Sequence, residues 1–125
     1  MNLVDSSAWL EYFAGGPQAG RFAAAIEDVA NLLVPTIVVL EVTRRVMQQR
    51  GEDEALQVAA MLHQGQVVAL DSGVALNAAQ LGVAHKLPLA DSIIYATARQ
   101  YGAMVWTMDA DFSGLAGVRY FRKRK

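Results

Sequence analysis

The chain has 125 residues, 54% of them hydrophobic, which suits one domain whose core needs neither a disulfide nor a metal staple. It has no cysteine, which fits a reducing cytosol, and no run near the roughly 20 apolar residues that a membrane-spanning helix requires. The net charge of -1 hides an asymmetry: "RYFRKRK" holds Arg119, Arg122, Lys123, Arg124 and Lys125, and the remainder carries 6 basic against 12 acidic residues. Such a tail reads either as a solvated terminus or as an anchor for a polyanion.

No basic leader precedes the first apolar run, so the start is expected to belong to the fold. Leu3-Val4 reads as a short buried strand ending on Asp5, and a helix is predicted from about Ser7 to Phe13. Gly15-Gly16-Pro17 breaks it. A second helix is expected through "RFAAAIEDVA", with Phe22, Ile26 and Val29 on one face. "NLLVP" reads as the next strand, and Thr36 as a plausible cap for the helix "TIVVLEVTRRVMQQR", which stops at Gly51. Next come the helix "DEALQVAAMLHQ", the strand "QVVAL", and a helix capped by Asp71-Ser72 that runs through "GVALNAAQLGVAHK". The last helix should begin near Ala90 and end at about Tyr101, before the strand "AMVWT" and a weaker one in "VRYF". Near-continuous apolar strands separated by helices predict an α/β fold with a parallel sheet, in which ligands bind beyond the carboxyl ends of the strands.

Several acids sit in unusual company. Asp5 ends the first strand, and Asp109 and Asp111 follow the last long one. Glu41 lies inside the apolar helix "IVVLEVT", and Asp91 near the first turn of "LPLADSIIYATA". Each has an ordinary reading too: a cap for Asp5, an ion pair with Arg45 for Glu41, dipole stabilisation for Asp91, a surface turn for Asp109 and Asp111. Together they are harder to dismiss, because strand ends and helix starts can deliver them to one sheet edge. Unit charges about 5 Å apart repel by roughly 3 kcal/mol at an effective dielectric near 20, so such a group calls for a cation. With no cysteine and no histidine pair at helical spacing, oxygen ligands select a hard ion, Mg²⁺ or Mn²⁺. Ser6, Ser7 and Thr107 lie beside Asp5 and Asp109, where their hydroxyls either orient a carboxylate or close local turns. His63 and His85 sit late in helices and read as structural or surface residues.

Taken in order, "NLVDSSAWLEYF", Glu41 in "TIVVLEVTRR", "KLPLADSIIYATA" and "VWTMDADF" resemble PIN-domain proteins, more narrowly the VapC-type toxins of toxin–antitoxin pairs. The resemblance runs the length of the chain. It implies a three-layer α/β/α sandwich around a central parallel sheet, spanning 1–125 as one domain with the basic tail at 119–125. It also implies Mg²⁺- or Mn²⁺-dependent cleavage of RNA in the cytoplasm, an antitoxin that blocks the site, and homodimerisation. By position Asp5, Glu41, Asp91 and Asp109 match the family's acids, the last within Thr107-Met108-Asp109. Ser7 matches a small hydroxyl, and Asp111 an additional carboxylate. A PIN nuclease of RNA processing and a non-catalytic interaction module remain open alternatives. A receiver domain would want paired acids after the first strand and a late lysine, and a P-loop enzyme its glycine pattern; neither is present.

Overall fold

The computed structural model describes residues 1–124. Five parallel strands form its centre: β1 (Asn2–Val4), β2 (Leu32–Pro35), β3 (Gln66–Val68), β4 (Met104–Thr107) and β5 (Val118–Tyr120), in the order β3-β2-β1-β4-β5. The inner strands are the ones without alternation. All four residues of β2 are buried, as are Leu3 and Val4, because helices cover both sides of the sheet. At the rims, β3 and β5 expose part of each strand. The "QVVAL" strand is shorter than expected and ends at Val68, before two exposed residues.

Six helices supply the outer layers: α1 (Ser6–Ala14), α2 (Ala19–Glu27), α3 (Thr36–Arg50), α4 (Glu52–Leu62), α5 (Ser72–His85) and α6 (Leu89–Tyr101). The order runs from β1 outward to β3 and then back across to β4, so the right-handed crossovers that join parallel strands put the intervening helices on opposite faces, which gives the three layers. Trp9, Phe22, Leu33, Ile94 and Phe112 fill the core. Trp9 stacks on Phe13 at 5.6 Å, and Tyr12 and Phe13 also pack against that core, so the aromatic start of α1 is largely spent on packing.

Local chemistry explains most boundaries. Gly15 closes α1 at φ 62°, a left-handed conformation that costs a residue with a Cβ about 1–2 kcal/mol. Two expectations need correction. The helix through "RFAAAIEDVA" ends at Glu27, because the Asn31 amide bonds the Asp28 carboxylate at 3.0 Å and folds Val29–Asn31 into a 3₁₀ turn, leaving Val29 exposed. Thr36 does not cap α3: Pro35 holds the cap position, and its lack of an N–H costs nothing there.

Candidate active site

The connections of β1 and β4 leave in opposite directions, so the carboxyl ends of these neighbours form the switch point of the sheet. Asp5 stands there. Its N–H donates to the Trp106 carbonyl at 3.1 Å, extending the β1–β4 ladder by one residue and fixing the side chain at the edge. Oδ1 accepts from the Ala8 N–H at 3.0 Å and the Ser7 hydroxyl at 2.7 Å, and Oδ2 accepts from the Thr107 hydroxyl at 2.5 Å. Asp5 therefore caps α1 and faces the site edge at once. It is 2% exposed, and burial pushes its carboxyl up to about 6 against the pull of bonds from Thr107, Ser7 and Ala8; the charge of Asp109 adds to the rise.

Both hydroxyls serve two strands. Ser7 Oγ accepts from the Met108 N–H at 3.1 Å, and Thr107 Oγ1 accepts from the Asp109 N–H at 2.8 Å. These bonds tie the loop after β4 to the carboxylate after β1, across about a hundred residues of sequence. Asp109 then caps the 3₁₀ turn Ala110–Phe112, its Oδ1 accepting from the Asp111 N–H at 2.9 Å.

Asp91 comes from the first turn of α6, where Pro88 holds the cap position without a side-chain bond. The close seating of this helix is eased by Gly82 in α5: a Cβ there would lie 3.0 Å from the Ser92 Cβ, tight enough that Ser92 would have to shift. The result is a cluster in which carboxylate oxygens of Asp91, Asp109 and Asp111 all lie within 4.8 Å of one another. No Lys or Arg among the described residues forms an ion pair with these carboxylates; the one ion pair among those residues is Arg50 with Glu54, at 3.5 Å. Partial burial, a hydrogen bond to Asp109 and the charges of Asp109, Asp111 and Asp5 push Asp91 up to about 8. The positive end of α6 favours an anion by only about 0.3–1 kcal/mol.

Glu41, like Asp5, stands apart from the close trio. Half-buried on α3, it accepts from Ser6 Oγ at 2.6 Å, one residue along from Asp5, and lies outside the close cluster. It makes no ion pair with Arg45, so that reading is corrected: Ser6 satisfies the carboxylate instead. Asp111, read from sequence as a supporting group, is a full member of the cluster; the Asp109-Ala110-Asp111 spacing on a single turn was the available signal. His63 and His85 are exposed and remote in role, His63 bonding the Ala59 carbonyl at 2.8 Å.

An open α/β sheet with an oxygen-only acidic cluster at its switch point defines a class of α/β protein whose donor set could hold a hard cation. Within that class the chain belongs to the PIN domain family, whose sequence profile matches residues 3–118. A search of curated proteins found no significant match. Among solved structures, it is similar to a toxin–antitoxin complex from Klebsiella pneumoniae, with a TM-score of 0.83 and 22% identity over 98% of this chain and 100% of that one. It is also similar to VapC20 of Mycobacterium tuberculosis, a sarcin–ricin loop cleaving toxin, with a TM-score of 0.76 and 22% identity over 95% and 99% of the two chains. FitAcB from Neisseria gonorrhoeae gives a TM-score of 0.72 and 23% identity over 98% and 97%.

Proposed function

We propose that this protein is a metal-dependent endoribonuclease acting as the toxin of a toxin–antitoxin pair. The observation that carries the proposal is the trio Asp91, Asp109 and Asp111, with carboxylate oxygens within 4.8 Å of one another and no ion pair to a Lys or Arg among the described residues. The donor set fits Mg²⁺ or Mn²⁺: carboxylate oxygens only, with neither sulfur nor imidazole. When bound, such an ion acidifies a water and offsets the charge that develops on a phosphodiester.

The chain's own residues have separable tasks. Asp91, Asp109 and Asp111 hold the ion. Asp5, fixed by Ser7 and Thr107, sets the electrostatic floor of the site and completes its negative charge. In the ion-free site Asp91 binds a proton more tightly than an ordinary carboxyl, so protonation competes there with the ion. Glu41, held by Ser6, is an outer carboxylate beside the entry to α1. The likeness to complexes of toxins with antitoxins supports an antitoxin that blocks this edge, and homodimerisation belongs to the same proposal. No helix among the described residues is long and apolar enough to cross a membrane.

The test is cleavage of a structured RNA, with a sarcin–ricin hairpin as the first substrate, in Mg²⁺, in Mn²⁺ and in excess EDTA. Cleavage is expected with either ion and absent in chelator. Persistence in EDTA overturns the proposal. Growth arrest on expression, relieved by Asp109→Asn, tests the toxin role separately.

A further inference from the structure

An acidic edge must still attract and orient a polyanion, and outside the C-terminal run the chain carries 6 basic against 12 acidic residues. The structure answers with a tail that is not a frayed end. Beyond β5 the ladder continues, the Phe121 N–H donating to the Thr107 carbonyl at 2.9 Å. The Phe121 ring stacks on Trp106 at 6.1 Å, meets Phe22 edge-on at 5.5 Å and carries the Arg21 guanidinium at 5.2 Å. Next to it Gln18, only 3% exposed, donates its side-chain amide to the Arg122 carbonyl at 2.6 Å. Gln18 is itself held by its N–H bond to the Glu11 carboxylate at 2.9 Å. A buried amide spent on the backbone of a penultimate segment fixes where that segment's side chains depart.

Those side chains depart beside the acids. One cleft is lined by Asp109 and Asp111 together with Tyr120, Arg122 and Lys123. A second cleft continues from the same tail residues to Arg124 and Arg21. Arg122, Lys123 and Arg124 are exposed and unpaired with any carboxylate among the described residues, and half-buried Tyr120 lines both clefts. Lys125 lies outside the described residues.

We propose that Gln18 and Phe121 clamp a phosphate track, in which Arg122 and Lys123, extended by Arg124 and Arg21, hold a single-stranded RNA segment across the acidic cluster. Cations spaced along a groove match successive phosphates of one strand, and the Tyr120 ring between the clefts provides a face on which an unpaired base stacks. This inference rests on the nuclease reading for its substrate, but it is measured by binding.

The experiment uses the whole protein in EDTA and a fluorescein-labelled 12-nucleotide single-stranded RNA, with anisotropy read across a potassium chloride series. Replacing Arg122 and Lys123 by alanine should lower the slope of log affinity against log salt by about 1.4, at about 0.7 per lost single-strand contact. With Mg²⁺ restored, the same variant should raise KM for cleavage and leave kcat nearly unchanged, and Arg122→Lys alone, which keeps both charges, should leave the slope near that of wild type. Gln18→Leu, which keeps every cation, should weaken binding severalfold. An unchanged slope and KM in the double variant overturn the track even if the enzyme cleaves RNA. A lowered slope in a protein that never cleaves supports the track and removes the nuclease. Loss of affinity for an acidic protein partner, with RNA binding intact, assigns the tail to protein docking and overturns the proposal.

Discussion

Asp5 and Asp109 leave adjacent strands at one edge of the sheet, yet they meet opposite surroundings. Asp5 is buried, and its two oxygens accept three hydrogen bonds, from Ser7, Ala8 and Thr107. Asp109 is half-exposed, bonded through one oxygen to the Asp111 N–H, and crowded by Asp91 and Asp111. The fold has supplied donors to the first acid and left the second group facing like charge. On the proposed function this separates a carboxylate held for position from one held for a ligand: the first is satisfied by the protein, and the second is not.

The sharpest break of that comparison is functional. Asp91→Asn or Asp109→Asn should reduce RNA cleavage by roughly 10²–10⁴-fold, the range for losing one group that acts at the reacting centre. Neither should lower the melting temperature of the metal-free protein, because each removes repulsion. Single-turnover cleavage alongside thermal melts checks both halves.

Asp5→Asn should behave in the reverse manner. It puts an amide against three donors that need an acceptor, and should cost about 1.5–3 kcal/mol of stability with or without a divalent ion. Urea unfolding measures it; a stability loss no larger than that of Asp109→Asn would erase the distinction. Mg²⁺ at about 100 times its Kd should stabilise wild type by about 2.7 kcal/mol. Asp109→Asn should show little of this gain in a melt.

The pH dependence follows from the same contrast. Asp91 is raised from 3.8 to about 8 and Asp5 from 3.8 to about 6, so in this range the folded protein binds more protons than the unfolded chain. Stability of the metal-free protein should therefore fall as pH rises from about 4, with the Asp5 part complete by about 6 and the Asp91 part by about 8. Asp91→Asn should flatten the upper portion, and saturating Mg²⁺ should do the same by offsetting the charge. The smallest effect belongs to Ser6→Ala, which leaves the half-buried Glu41 to water at a cost of about 0.5–1.5 kcal/mol.

Residues adjacent in sequence made much of this protein legible. Apolar runs at Leu3-Val4, Leu32–Pro35 and Met104–Thr107 mark buried strands, Gly15 and Gly51 mark helix ends, and Asp71 caps α5 through the Val74 N–H at 2.9 Å. The placement of acids at strand ends and helix starts follows from the same local patterns, which is why Asp5, Asp91 and Asp109 stand out in the sequence. Glu41 shows the limit. Its helical neighbour Arg45 was a fair partner by spacing, and the partner is Ser6, 35 positions away.

The amino-acid sequence alone determined the α/β alternation, the helix stops and the unusual acids, because propensity, capping and hydrophobic period act over a few residues. Only the tertiary structure decided that Asp111 joins Asp91 and Asp109, that Ser7 and Thr107 spend their hydroxyls on Asp5, and that Gln18 holds the Arg122 carbonyl from 104 positions away. Those pairings depend on which strands and helices pack side by side. Hydrogen bonds and like-charge contacts a few ångströms long exist only after the chain has closed around its core.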